Sequence, residues 1–325
     1  MQPARIRVLN VRRCISGVLF AAATWAIAGS ASAGDFDYRL APIEVASDTW
    51  VFVGRNEDMT AANGGNVANT AFVITSEGVV VIDSGPTRRY AEQVRAAIHR
   101  KTIRPVVRVF NTHHHGDHVL GNIAYPDLVE GLPATIASMR VETPDALAEI
   151  LRVSPDAAAG TEIAVPTRQA SGGRFRLGSH EFELIATKGH TGGDLVLFDH
   201  TTGVLFAGDL MFNARAPTFA NADIDEWIDA LNRLEGLRLR MLVPGHGAPT
   251  RNAQPLRETR DYLLWLSGRL ERSAADGMAM ADVLAMPPPE RFRGLALIDA
   301  EYLRTVRQLY PAMAATQRDT TGDTR

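Results

Sequence analysis

Hydrophobic and polar residues follow two kinds of pattern in the first half of the chain. Short runs rich in β-branched and aromatic residues, with polar or glycine breaks between them, predict strands. These runs lie at residues 49–55, 70–77, 78–85 and 105–111. Residues 87–100 instead predict a helix with one buried face, because their apolar positions follow the spacing i, i+4, i+7, i+8. Those positions are Tyr90, Val94, Ala97 and Ile98.

The second half repeats this order of elements without repeating the sequence. Strands are predicted at residues 182–190, 194–199, 203–209 and 240–247. A helix is predicted from Ile224 to Leu234, and Asp223 and Glu226 are spaced like a capping box at its start. Two runs of strands, each followed by a helix, predict an α/β fold in which two sheets pack together with helices outside.

The C-terminal part is predicted to be helical. One apolar stripe contains Leu256, Leu263, Leu266 and Leu270, and residues 301–310 form another. The proline-rich segment MPPPERF separates these two helices. The last ten residues are polar and are expected to be disordered.

Residues 1–33 have the pattern of a cleavable signal peptide. A basic segment with four arginines and no acid precedes an apolar run at 15–28, and Ala31-Ser32-Ala33 offers a cleavage site. The run is shorter than the about 20 residues of a membrane span, so an uncleaved anchor is the lesser alternative. We expect a periplasmic or secreted protein exported by the general pathway, with twin-arginine export as the alternative. The rest would form a main domain, 34–272, and a C-terminal helical extension with a disordered tail, 273–325.

Cysteine content and charge exclude several classes of function. The only cysteine, Cys14, lies in the predicted signal peptide, so the mature chain offers no thiolate as ligand or nucleophile. Loss of the four arginines would take the net charge from −3 to −7, which argues against a nucleic-acid partner. No later apolar stretch has the length of a membrane span, so no stable membrane anchor is expected.

The segment NTHHHGDHVLGN contains four of the nine histidines of the chain. At the end of an extended strand, alternate side chains point the same way, so His113 and His115 can reach one ion while His114 points elsewhere. We expect His114 to be packed or solvated. The alternative is that it contacts substrate or orients a ligand.

Five further candidate ligands extend this cluster. Gly116 lets the backbone turn, so that Asp117 and His118 approach from a new direction. Three more candidate ligands follow apolar strands and have glycines beside them: His190, Asp209 and His246. A single Gly-His or Gly-Asp after a strand is usually a turn, but the ordered set has a chance probability far below ~1%. The sequence therefore predicts a metal site.

Imidazole and carboxylate ligands suit zinc, with iron or manganese as alternatives. Two such ions would lie ~3.5–4 Å apart and share a hydroxide, which we expect to be the nucleophile. Asp117 would orient the attacking water or accept its proton. Two dications, two carboxylates and one hydroxide leave one positive charge, which favours an anionic substrate group.

Two weaker signals lie before the histidine cluster. Asp83 is expected to hold a ligand from behind through a hydrogen bond, or to cap the helix that starts near Pro86. A glycine-rich segment between two predicted strands could be a flap over the site or a plain hairpin turn. Its residues are Asn63, Gly64, Gly65 and Asn66.

The seven candidate ligands resemble those of the metallo-β-lactamase superfamily, over residues 45–250. The resemblance implies an αββα sandwich, with Asp83 as the family's aspartate behind the metal loop. It also implies the division of the ligands: one metal held by His113, His115 and His190, a second held by Asp117, His118 and His246, and Asp209 bridging both.

Several longer segments resemble a narrower group, the exported zinc metallohydrolases associated with quinoprotein dehydrogenase systems (SoxH-related). These segments are NEDMTAANGGNVANTAFVIT, FNTHHHGDH, GVLFAGDLMF, LVPGHG and the C-terminal helices. The resemblance implies a functional link to a quinoprotein dehydrogenase. Asp209 stands where some β-lactamases of the superfamily have a cysteine ligand, and His115 where the oxygen-reducing diiron relatives have a glutamate, so neither group fits.

Two functions from different classes follow. The first is an exported metal-dependent hydrolase in which a hydroxide bridging two zinc ions attacks a small ester-like substrate: an acyl ester, thioester, lactone or sulfate. The second is a non-catalytic metal-binding accessory protein that supports a periplasmic quinoprotein dehydrogenase. A hydrolase needs an open position for water and substrate at the metal, whereas a structural site can be closed.

Overall fold

Two β-sheets face each other in the computed structural model, which describes residues 36–322. The first sheet has seven strands in chain order: β1 Ile43–Ala46, β2 Thr49–Phe52, β3 Thr70–Thr75, β4 Gly78–Ile82, β5 Val106–Phe110, β6 Val129–Gly131 and β7 Arg168–Gln169. The second has five strands in the order β12-β11-β10-β9-β8: β8 Gly173–Leu177, β9 His180–Thr187, β10 Asp194–Asp199, β11 Val204–Phe212 and β12 Met241–His246.

Helices cover the outer faces of the sheets and fill the connections. They are α1 Arg88–Lys101, α2 Gly116–Val119, α3 Pro133–Val153, α4 Pro155–Ala158, α5 Ile224–Glu235, α6 Gln254–Ala275, α7 Met280–Ala285 and α8 Ile298–Gly322. Short 3₁₀ turns lie at Leu120–Ala124 and Glu290–Phe292.

Alternation of apolar side chains along the buried strands produces the layered arrangement. In β4, Val80 and Ile82 belong to the core between the sheets, whereas Val79 and Val81 pack on the opposite face under α1. In β10 the neighbouring residues likewise divide between the inner core and the core beneath α5 and α6. Because successive side chains of a strand point to opposite faces, strands that are apolar at every position require cover on both sides. This confirms the predicted α/β fold with two packed sheets and outer helices.

The helix starts use side-chain caps that the sequence partly predicts. Thr87, rather than Asp83, caps α1 by accepting a hydrogen bond from the Tyr90 backbone N–H at 3.0 Å. Asp223 caps α5 by accepting from the Glu226 N–H at 3.1 Å. The Glu226 carboxylate does not complete a capping box, because it pairs with the Lys188 ammonium at 2.8 Å.

The C-terminal helices pack on the outer face of the second sheet. Tyr262 and Leu266 of α6 share one apolar core with Val306 and Tyr310 of α8. Helix α8 continues to Gly322 and so includes residues 316–322 of the polar C-terminal segment. No glycine or proline interrupts the chain between Pro311 and Gly322, which allows the polar segment to extend the helix.

Two sequence predictions concern membranes and export. Within residues 36–322, no helix is long and apolar enough to cross a bilayer. The predicted signal peptide, residues 1–33, lies outside the described residues.

Candidate metal centre

The ends of strands from both sheets meet at one place and carry the predicted ligands there. The histidine segment follows β5 and turns into α2, while the other candidates lie after β9, within β11 and at the end of β12. Strands β11 and β12 are parallel, and their register shifts at Gly208, directly before Asp209. Such irregularities redirect a side chain out of the regular pleat. All seven predicted ligands therefore come together.

The seven residues form two groups of candidate ligands. The first contains His113, His115, His190 and Asp209, and the second contains Asp117, His118 and His246. Within each group, one ligand atom from every residue lies within 4.8 Å of the others. The division agrees with the one that the family resemblance implies.

Asp209 is buried between the two groups and contacts both. Its Oδ1 lies 3.2 Å from His118 Nε2. Its Oδ2 lies 3.2 Å from His246 Nε2 and 3.5 Å from His190 Nε2. One carboxylate thus contacts histidines of both groups.

The polar atoms that face each other in this cluster are better arranged to bind a metal ion than to form hydrogen bonds with one another. In the described part of the chain, His113 Nε2, His118 Nε2 and Asp209 Oδ1 are buried without a hydrogen-bond partner. Buried polar atoms are normally satisfied, so this concentration of unsatisfied polar atoms requires an explanation. Ligand atoms at ~2.0 Å from a tetrahedral zinc ion lie about 3.3 Å apart, close to the separations within the cluster.

The electrostatics of the cluster also favour a bound cation. Burial lowers the pKa of His113 and of His190 well below the usual value, so both imidazoles are neutral, as metal ligands must be. Burial also disfavours a charged His118, but Asp209, Asp117 and Asp83 outweigh it and raise the pKa of His118 well above its usual range. The carboxylates therefore stabilise positive charge at this point.

Asp83 holds two of the histidines from behind. Its Oδ2 accepts hydrogen bonds from His118 Nδ1 at 2.8 Å and from Thr112 Oγ1 at 2.8 Å. Thr112 Oγ1 in turn lies 3.0 Å from His113 Nδ1 and can accept its proton. Both histidines therefore present Nε2 to the cluster. Thr112 was not among the residues predicted from the sequence, although its place directly before the first ligand was a usable signal.

His114 points away from the cluster and is packed. It is 3% exposed, and its Nε2 lies 3.1 Å from Glu142 Oε2. Glu142 lies on α3, a helix that was not predicted from the sequence.

The glycine-rich segment is not the flap that the sequence suggests as one alternative, nor a plain hairpin turn. All four of its residues, Asn63, Gly64, Gly65 and Asn66, are buried in the long connection between β2 and β3. The two glycines have φ values of +59° and +81°, and a Cβ on Gly64 would lie 2.8 Å from the Phe36 ring. Asn63 binds the Thr60 and Gly65 backbone N–H groups, which fixes the turn. Close packing, rather than mobility, explains the glycines.

A cavity of about 460 Å³ opens beside the cluster. Its lining includes the candidate ligands His115, Asp117, Asp209 and His246. The other lining residues include apolar ones (Met59, Val67, Pro86, Leu120 and Ile150) and polar or charged ones (Asp58, Glu149, Arg215, Thr218, Glu301 and Arg304). The cavity therefore combines candidate ligands with both apolar and polar side chains.

The two arginines that line the cavity, Arg215 and Arg304, differ in their hydrogen-bond partners. Arg304 of α8 pairs with Glu301 and Asp58. Arg215 is buried, and its guanidinium donates to the Glu57 carbonyl at 3.0 Å, while its Nε has no hydrogen-bond partner among the described residues. Arg215 thus has unused hydrogen-bonding capacity beside the cavity.

Known proteins share this fold and part of this sequence. A hydroxyacylglutathione hydrolase of Thermosynechococcus vestitus is 30% identical over 129 residues, which are 40% of this chain and 44% of that protein. The chain thus matches less than half the length of this curated relative. A metallo-β-lactamase from Pontibacter korlensis has a TM-score of 0.57 at 22% identity, covering 69% of this chain and 99% of that one. A double mutant of the sec-alkyl sulfatase PisA1 has a TM-score of 0.65 at 19% identity, covering 83% of this chain and 50% of that one.

The two structural likenesses concern the fold, whereas the family match concerns the sequence around the site. The family model of the metallo-β-lactamase superfamily matches residues 63–246, more than half of the chain, and this range contains every candidate ligand. The chain belongs to the metallo-β-lactamase superfamily.

Proposed function

We propose that this chain is a metal-dependent hydrolase of small ester-like substrates. The observation that carries the proposal is that four residues of the seven-residue cluster line an open cavity: His115, Asp117, Asp209 and His246. Two groups of ligands joined by Asp209 suit two ions, and the cavity gives water and substrate access to them. A closed structural site would need no such access.

The ligand set favours two zinc ions, with iron or manganese as alternatives. It consists of imidazole nitrogens and carboxylate oxygens, which bind all three metals. When bound, the ions would lower the pKa of a coordinated water to about 7 and polarise the oxygen of the scissile group.

Asp117 is the best candidate for handling the proton of the attacking water. Its side chain is 25% exposed, whereas the Asp209 side chain is 3% exposed. Asp117 lines the cavity and lies 3.5 Å from His246 Nε2 through its Oδ2. A carboxylate in this position can orient a water molecule and accept its proton.

The walls of the cavity support a substrate with an apolar part and an anionic group. Its volume of about 460 Å³ suits a small molecule. The apolar lining residues would cover a hydrocarbon portion, and Arg215 would donate hydrogen bonds to a carboxylate or sulfate. The names of two similar proteins, a hydroxyacylglutathione hydrolase and a sec-alkyl sulfatase, support an ester-like scissile bond.

The proposed setting is the periplasm or the outside of the cell. The signal-peptide pattern of residues 1–33 supports export, and the segments that resemble quinoprotein-associated hydrolases support a link to a quinoprotein dehydrogenase. Export also makes a glutathione thioester a less suitable natural substrate than a lactone, an acyl ester or a sulfate ester.

Turnover by the purified protein with measured metal content tests the proposal. The panel contains thioesters, lactones, aryl esters, alkyl and aryl sulfates and a chromogenic β-lactam, each with and without a carboxylate where the chemistry allows. We expect turnover of one class, preference for its anionic members, and a loss of at least 100-fold in kcat/KM in Asp209→Ala.

The same experiment separates the hydrolase from the accessory protein. A wild-type protein that holds its metal but turns over nothing in the panel would contradict the hydrolase and favour a metal-binding accessory role. Turnover that is unchanged in Asp209→Ala would contradict the assignment of the site.

A further inference from the structure

His115 faces the cluster with a different nitrogen from the other candidate histidines. Its Nδ1 points inward and lies 3.0 Å from His190 Nε2. Its Nε2 points outward and lies 2.9 Å from Asn221 Oδ1. To serve as a ligand, His115 must therefore carry its proton on Nε2 and leave Nδ1 free.

The other histidines are held in the opposite way. His246 Nδ1 lies 2.8 Å from the Val67 carbonyl oxygen and must donate to it. His118 and His113 donate from Nδ1 to Asp83 and Thr112, as described above. His115 thus needs a separate device to select its tautomer, because the common arrangement would place its proton on the wrong nitrogen.

Asn221 and two residues behind it provide this device. Asn221 Nδ2 donates to Glu142 Oε2 at 2.7 Å, and His114 Nε2 lies 3.1 Å from the same oxygen. A carboxylate only accepts hydrogen bonds, so Glu142 must face the amide nitrogen of Asn221. The amide oxygen of Asn221 then faces His115 and can only accept the Nε2 proton. One carboxylate therefore determines the orientation of the amide and, through it, the tautomer of the imidazole.

We infer that Asn221 is a positioning residue for the metal centre, and that Glu142 and His114 hold it in place. The contact joins the loop between β11 and α5 to the histidine segment and to α3. His114 thus supports the ligand His115 indirectly, through Glu142 and Asn221. The inference rests on the metal centre of the proposed function, specifically on the ion that would be held by His113, His115 and His190.

The expected effect is moderate, because the contact is exposed to water. Hydrogen-bond partners behind metal-binding histidines typically contribute 10- to 100-fold in metal affinity. Asn221 is exposed, so water can replace part of its role, and an effect of about tenfold is expected.

Metal affinity in Asn221→Leu provides the test. Leucine has nearly the shape of asparagine but cannot accept the His115 proton. Competition with a chromogenic chelator should show one ion bound about tenfold more weakly and the other unchanged. The visible spectrum of the cobalt-substituted protein should change at the same site. Asn232→Leu is the matched control, because Asn232 is an exposed asparagine whose side chain also accepts one hydrogen bond, from Arg260.

A double substitution tests the direction of the hydrogen bonds. Asn221→Asp alone places two carboxylates together and should weaken the same ion. Adding Glu142→Gln places an amide nitrogen where it can donate to the carboxylate introduced at position 221. Neutral His114 can turn an unprotonated Nε2 toward the same nitrogen. The double variant should therefore recover most of the wild-type affinity.

Three results would overturn the inference. Unchanged affinity for both ions in Asn221→Leu would exclude a positioning role. Equal weakening of both ions together with a lower Tm would indicate a structural role only. A wild-type protein that binds no metal would overturn the proposed function as well, whereas the first two results leave it intact.

Discussion

At the residue scale, the site depends on small residues that let the chains approach each other. Asp209 reaches both groups of ligands because Gly245 of the neighbouring strand β12 leaves room for its carboxylate. A Cβ at position 245 would lie 1.8 Å from Asp209 Oδ1 and 2.7 Å from the Gly208 carbonyl carbon. Asp209 is buried and the Gly208 carbon belongs to the backbone, so neither atom can turn away into solvent. The added methyl group would therefore displace the aspartate.

Gly245→Ala should therefore weaken metal binding without removing a ligand. We expect about 10- to 100-fold lower affinity, as for other changes that misplace a ligand, measured by chelator competition. Gly294→Ala is the control, because a Cβ there meets no atom within 4 Å. Equal affinities in the two variants would contradict the close approach of β12 to Asp209.

The residues that hold metal and the residues that orient them differ in how far the sequence predicts them. The seven candidate ligands form an ordered motif of rare residue types at strand ends, and the structure brings all of them together. Asn221 and Glu142 are ordinary polar residues, 106 and 28 positions from the histidines that they contact. Nothing in their local sequence indicates those contacts, which depend on the packing of α3 and of the loop before α5.

At the element scale, helix α8 forms part of the cavity wall and contains a buried carboxyl group. Glu301 is 1% exposed, and its Oε2 has no hydrogen-bond partner within residues 36–322. Burial raises the pKa of Glu301, and the opposing effects of Arg304 and Arg215 do not cancel it. The protonated form is thus favoured in the folded state relative to the unfolded chain.

This shift gives α8 a pH-dependent stability. The contribution of protonated Glu301 is fully present below the pKa of the unfolded chain and is lost as pH rises through the higher pKa of the folded state. Glu301→Gln keeps the uncharged form at every pH. Its Tm relative to wild type should therefore increase between pH 4 and pH 8, measured by thermal denaturation of both proteins. A difference that is constant or falls with pH would contradict the raised pKa.

The strands and helices differ in how clearly their sequences indicate that they are buried. Strands β3, β4, β10 and β11 are almost wholly buried, and their continuous apolar runs predict them well. Strand β7 has two exposed residues and lies at the edge of its sheet, so its sequence carries no apolar signal. Helix α3 contains Pro144 and buries only scattered positions, which hides its period. Tertiary pairing, rather than local pattern, determines these two elements.

At the scale of the whole molecule, the layers and the metal centre have a common origin. Both sheets are apolar on two faces, so each requires the other sheet on one side and helices on the other. The packing brings the ends of strands from both sheets to one edge, where the ligands lie. The hydrophobic pattern therefore predicts the layers, and the histidine motif predicts the metal site at the edge where the two sheets meet.

The number of metal ions bound per chain decides whether these seven residues form a metal centre. Purified wild type, His115→Ala and His114→Ala would be equilibrated with zinc, dialysed and measured by elemental mass spectrometry. We expect two equivalents in wild type, about one in His115→Ala, and two in His114→Ala, because His114 only supports the ligands from behind. A wild-type protein without bound metal, or equal losses in both variants, would contradict this assignment of the ligands.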